Sequence, residues 1–259
     1  MDRLSYSTFS VARVLMALCV FFCHVFERFN DFGFLFVGVF FFMSGYGMEI
    51  TQKRYLSLKR LIPFIFYFIW FSLIYLILFR VFEYPSSWFL VIYFCVMVIY
   101  RFIQNIYLLL VVFLFFALVL MGLGFNWGWM ASYGGFLFGV FFARNRSAFT
   151  FKNCICLVPL CLMAPWTGSV ACWVLLPIFS WIVLSVSSIS FLKFLSYAGD
   201  YTFYFYCVHC AILGLFGATW TLGGSPSLLP CVGAFFVSVF VSFYLKESLF
   251  NYPKIQKAG

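Results

Sequence analysis

Residues 8–27 read TFSVARVLMALCVFFCHVFE, an apolar run of helical length interrupted by one arginine, Arg13, and one histidine, His24. It contains neither Gly nor Pro, so nothing in it breaks a helix. A helix that crosses a lipid bilayer needs about 20 consecutive, mostly apolar residues, and this run supplies them. The same signal recurs along the chain at 32–50, 61–79, 86–101, 106–124, 128–143, 153–165, 169–190, 200–218 and 228–245. The breaks are short and polar or turn-rich, among them ERFND, QKRYLSLKR, FEYPSS, GFNWGW and the linker SFLKFLSYAG that starts at Ser190. The expected fold is therefore all-α: a polytopic membrane helix bundle of about ten transmembrane helices, or eight if two pairs of these runs are mis-split.

Composition points the same way. Of 259 residues, 66% are hydrophobic, 25% aromatic and 9% charged, where soluble domains average about 25% charged. The 41 Phe residues exclude a disordered chain. Ten spans of about 20 residues leave too little chain for a separate soluble domain, so residues 1–259 are read as one integral-membrane domain. The first apolar run lacks a small-residue cleavage site and is expected to be a retained span rather than a removed signal.

The net charge of +9 suggests nucleic acid only until the cations are placed. Alternate breaks assigned to alternate sides put 13 of the 16 Lys and Arg on one side; Arg28 and Arg80 fall on the other, and Arg13 stays within the first span. A bias of this kind marks the cytoplasmic face, so both termini are expected there, with no nucleic-acid partner. The expected location is a bacterial inner (plasma) membrane.

An ionisable group within a span is a functional candidate, because inserting one costs about 2.5–3.5 kcal/mol. Arg13 and His24 lie eleven positions apart. That spacing is about three turns plus 20°, which puts both on one helix face about 16 Å apart along the axis. Arg suits recognition of phosphate and His suits proton transfer near neutrality. The plain alternatives are an arginine that snorkels to the headgroups and a packed histidine. His209 either lines a cavity or closes a hydrogen-bond network with Tyr204 and Tyr206. Ser44 and Gly45 fit close helix packing better than a nucleophile turn. Asp200 and Lys193 are expected in solvent. The ten Cys are read mainly as small hydrophobes, and no disulfide follows from them. Cys154 and Cys156 lack the second pair or nearby His of a metal site, so no metal is expected.

An ordered series of motifs adds a resemblance. Arg13 and His24 are followed by GVFFFMSGYG from Gly38 to Gly47, then by a basic loop ending Arg60-Leu-Ile-Pro63. Trp88-Phe89-Leu90 opens a later span, and Tyr133 to Gly139 precedes another basic loop. Leu195 to Gly199, the run TFYFY from Thr202 to Tyr206, and His209 close the series. Together these resemble the membrane-bound acyltransferase 3 family, whose members transfer acetyl or related groups to sugar hydroxyls.

The resemblance implies acetyl-CoA as co-substrate, no tightly bound cofactor, and a glycan or glycolipid acceptor. It implies that His24 is the general base and that Arg13 orients the donor or holds a partner carboxylate. Arg60, Lys59 and Arg54 would receive the coenzyme A phosphates, although the topology bias alone also accounts for Lys53, Arg54 and Lys59. Acceptor-cavity candidates are His209, Tyr206, Ser44 and Tyr46. Two rival readings stay open: a transporter or flippase for a polysaccharide or lipid-linked sugar, and an inactive relative.

Overall fold

The computed structural model describes residues 5–26, 32–51, 58–80, 87–103, 105–122, 128–145, 150, 152, 170–219, 223–224 and 227–250. Among them every regular element is helical. The α-helices are α1 (Tyr6–Val25), α2 (Gly33–Thr51), α3 (Leu58–Phe79), α4 (Ser87–Phe102), α5 (Ile106–Gly122), α6 (Gly128–Arg144), α7 (Val170–Ser187), α8 (Thr202–Leu215) and α9 (Leu228–Phe250). Each coincides with an expected span to within a few residues. The expected span at 153–165 lies outside the described residues.

One stretch differs. The segment expected as a linker after Ser190 is a 3-10 helix, Ser190–Asp200, bent by 104° from the preceding Leu176–Ser187. Ile189 is extended at φ −65°, ψ 130°, which ends the α-helical ladder and lets the chain turn. The new helix lies against the start of α1, where Gly199 faces Ser10. A Cβ at Gly199 would stand 2.6 Å from Ser10 Cβ, so only Gly permits this approach.

Among the described residues three helices, Tyr6–Val25, Gly33–Thr51 and Leu228–Glu247, are long and apolar enough to cross a membrane, or up to four if the bent pair counts as one span. Their burial separates roles. The apolar window of α1 is 61% buried, whereas that of α9 is 17% buried. α1 is central, packed by α2, α7, α8 and the 3-10 helix. α9 packs on α8 and leaves Leu228, Leu229, Phe236, Phe240 and Phe243 exposed. Apolar surface of that extent is stable facing lipid and would aggregate in water.

The tightest helix pair is α2 with α6. Methyl groups added at Gly135 or Gly139 of α6 would strike the carbonyls of Gly38 or Phe42, and one at Gly45 would strike the Phe136 carbonyl. The backbones thus touch through glycines on both helices, a close approach that only small residues allow. This is the packing role expected for Gly45. Polar side chains on the apolar helices are largely satisfied one turn back: Ser187 Oγ donates to Val183 O at 2.7 Å and Ser238 Oγ to Ala234 O at 2.7 Å.

Candidate functional site

α1 and α8 cross through aromatic rings. Phe21 meets Phe205 at 5.8 Å between centroids and Phe235 of α9 at 5.6 Å. One turn beyond Phe21, His24 projects toward α8 and meets His209, with ring centroids 5.2 Å apart and planes at 51°. The C-terminal turn of α1 is tied down here, because Thr219 Oγ1 donates to the His24 carbonyl at 2.9 Å.

His209 is fully buried. Its ring stacks on Phe205 at 5.5 Å and meets the edge of Tyr206 at 5.6 Å. Its Nδ1 lies 3.0 Å from the Phe205 carbonyl. A carbonyl only accepts, so Nδ1 carries the proton and Nε2 presents a lone pair. The Cys210 thiol is 3.3 Å from that Nε2 and donates to it. A backbone carbonyl four residues earlier, available only inside a regular helix, therefore fixes the tautomer. His24, His209 and Cys210 each offer a ligand-type atom, and these atoms lie within 4.8 Å of one another.

Arg13 sits elsewhere. Its guanidinium donates to Ser10 Oγ at 3.1 Å and to the Phe9 carbonyl at 3.4 Å, and Nη1 stands 3.9 Å from Asp200 Oδ1. Tyr6 Oη donates to the same Oδ1 at 2.5 Å, and Arg13 lies over the Tyr6 ring at 5.5 Å. Asp200 was expected in solvent. Although 48% exposed, its side chain is paired, because the 3-10 helix packs it against the first turns of α1. Lys193 is exposed as expected. Arg13 thus holds a carboxylate, but one remote from the imidazoles. Arg13 and His24 share a helix without forming one site.

The remaining candidates scatter. Tyr206 is buried and contacts both His209 and Phe40. Ser44 Oγ donates to Phe40 O at 2.9 Å and is hydrogen-bonded to Tyr93. Tyr46 meets Phe9 at 5.5 Å and Phe42 at 6.3 Å, on a wall between α1 and α2. Lys59 and Arg60 belong to the first turn of α3, but their side chains, like the whole of Arg54, Cys154 and Cys156, lie outside the described residues.

One charged group escaped the sequence reading. Glu49, at the end of α2, pairs with Arg144 Nε at the end of α6 at 3.3 Å and accepts a hydrogen bond from Tyr100 of α4. Arg144 had been counted only as a loop cation. The available signal was opposite charges at the ends of two apolar runs.

No protein-family model, curated protein or solved structure matches this chain.

Proposed function

We propose that this chain is a membrane-embedded O-acyltransferase that moves an acetyl or other short acyl group from a coenzyme A thioester to a hydroxyl of a sugar, cell-surface polysaccharide or glycolipid precursor. In this reading it is a bundle of about ten spans with both termini cytoplasmic, in a bacterial inner membrane. The observation that carries the proposal is the meeting of His24 with His209 at an apolar helix crossing. Imidazoles are expensive in such surroundings and are retained there for proton or ligand chemistry.

The chemistry needs one lone pair. The acceptor oxygen attacks the thioester carbonyl while its proton passes to a nitrogen of His24. A C–O bond forms, the tetrahedral intermediate collapses, and the C–S bond breaks. The imidazolium returns the proton to the departing thiolate, giving free coenzyme A. His24 is partly buried, so an acceptor can approach its open side. His209, with its tautomer fixed, packs its ring against His24. At the other end of α1, Arg13, held by Asp200 and Ser10, would meet a donor phosphate; the family resemblance assigns the same task to Arg60, Lys59 and Arg54.

The test is His24→Ala in cells, with protein abundance measured beside O-acetylation of surface polysaccharide. Loss of acetylation at normal abundance supports the proposal, and wild-type acetylation overturns it. The 104° break between Leu176–Ser187 and Ser190–Asp200 favours a second reading, a transporter, since broken helices form substrate sites in such proteins. Substrate uptake into vesicles without acyl transfer would select it.

A further inference from the structure

We propose that His24, His209 and Cys210 form a binding site for one borderline-soft divalent cation of the zinc class. The proposal goes beyond the acyl-transfer reading and does not depend on it.

The donor set comes first. Two imidazole nitrogens and one thiolate are the ligands that Zn2+ prefers, and a site with three protein ligands keeps a fourth position open. Geometry follows. Tetrahedral coordination at about 2.0–2.1 Å for nitrogen and about 2.3 Å for sulfur brings ligand atoms to about 3.3–3.6 Å from one another. Cys210 Sγ and His209 Nε2 already stand 3.3 Å apart, and all three ligand atoms fall within 4.8 Å of one another. Closing the set means shortening the widest separation from at most 4.8 Å to about 3.3–3.6 Å.

The surroundings of His209 are those of a metal ligand. Its Nδ1–H donates to the Phe205 carbonyl at 3.0 Å, which leaves the Nε2 lone pair facing Cys210 and His24. Binding imidazoles characteristically give their second N–H to such an acceptor, which fixes the ring and strengthens the donor nitrogen. Stacking on Phe205 holds the plane of the ring. As the ion binds, the Cys210 S–H bond breaks, its proton leaves to solvent, and an S–Zn bond forms. The two neutral histidines and one thiolate leave a net single positive charge, which an anionic or hydroxyl ligand in the open position can meet. The sequence alone hides this set, because His24 lies far along the chain from the adjacent His209 and Cys210, and no motif spacing links them.

An occupied site has a consequence for His24. The lone pair that coordinates the metal cannot also take a proton, so metal binding and general-base action at that nitrogen exclude each other.

The experiment uses the purified full-length protein in lipid nanodiscs, stripped with chelator and titrated with Zn2+ alone. The expected result is one Zn2+ per chain. Titration with Co2+ should give a thiolate-to-metal charge-transfer band together with the visible bands of four-coordinate Co2+. Cys210→Ser, nearly isosteric, should abolish the charge-transfer band. Cys210→Ser and His209→Gln should each weaken Zn2+ binding by at least about tenfold. A helical spectrum and melting profile like the parent's would show that the variants fold. Absence of stoichiometric Zn2+, or unchanged affinity in both folded variants, overturns the proposal. Zn2+ binding, with no acetyl transfer even in the chelator-stripped protein, would sink the acyltransferase reading and leave the metal site standing. Acetyl transfer without Zn2+ binding would do the reverse.

Discussion

Glu49 and Arg144 form an ion pair at 3.3 Å that joins the end of α2 to the end of α6, and Tyr100 of α4 donates to the same carboxylate. The side chains are 14% and 23% exposed, so water screens the pair only in part. Removing one member strands a charge in an apolar setting. Glu49→Ala is expected to destabilise the protein by about 3 kcal/mol, the low end for buried pairs. Tyr100→Phe should cost about 1.5–3 kcal/mol, as for a bond to a charged group. Unfolding in detergent micelles, with the double variant closing a thermodynamic cycle, measures both; additive effects would show that Glu49 and Tyr100 are uncoupled.

The glycine contact between α2 and α6 makes a sharper claim. Gly139→Val must push the helices apart and should cost about 1–3 kcal/mol or more. Gly47→Ala, where an added Cβ meets nothing within 4 Å, should change stability by less than about 0.5 kcal/mol. Equal melting temperatures for the two variants would refute the close approach.

Arg13 and Asp200 are a looser couple, 3.9 Å apart with side chains 30% and 48% exposed. Pairs this open contribute less than about 1 kcal/mol. Asp200→Asn should therefore leave the melting temperature nearly unchanged. If the carboxylate orients Arg13 toward the donor, the same variant raises KM for acetyl-CoA while kcat holds. A large loss of stability, or an unchanged KM, would count against that role.

His209→Phe keeps a ring in the stack on Phe205 but removes both nitrogens. With no Nδ1–H to meet the Phe205 carbonyl and no Nε2 beside His24, kcat for acyl transfer is expected to fall about 100-fold. Stability should drop by about 0.5–1.5 kcal/mol from the lost side-chain hydrogen bond to Phe205 O. A folded variant with parental kcat would limit His209 to packing.

Reporter fusions made after Lys53, Lys152 and Lys257 should all report cytoplasm. A signal from the far side at any of them would break the alternation on which the ten-span arrangement rests.

The helices were legible because they obey a local rule. An apolar run of helical length, such as 8–27, 106–124 or 228–245, favours a helix whatever its neighbours do. Residues 190–200 escaped that rule. Their short, turn-like sequence reads as a linker, and the 3-10 helix there docks on α1 through Gly199 at Ser10 and Asp200 at Tyr6 and Arg13. Arg13 and His24 stand out in the sequence as ionisable groups within an apolar run, yet their common face did not make them one site. Asp200 claims the first and His209 meets the second, at opposite ends of α1.

The sequence by itself determined an all-helical chain, where its apolar helices begin and end, and which few polar groups lie within them. Those properties depend on neighbours within about 20 residues and on the solvent around them. Tertiary structure alone decided the pairings: His24 with His209 and Cys210, Arg13 with Asp200, Glu49 with Arg144 and Tyr100. Each joins helices remote in the chain, through crossings set by glycine contacts and ring packing that no local pattern encodes.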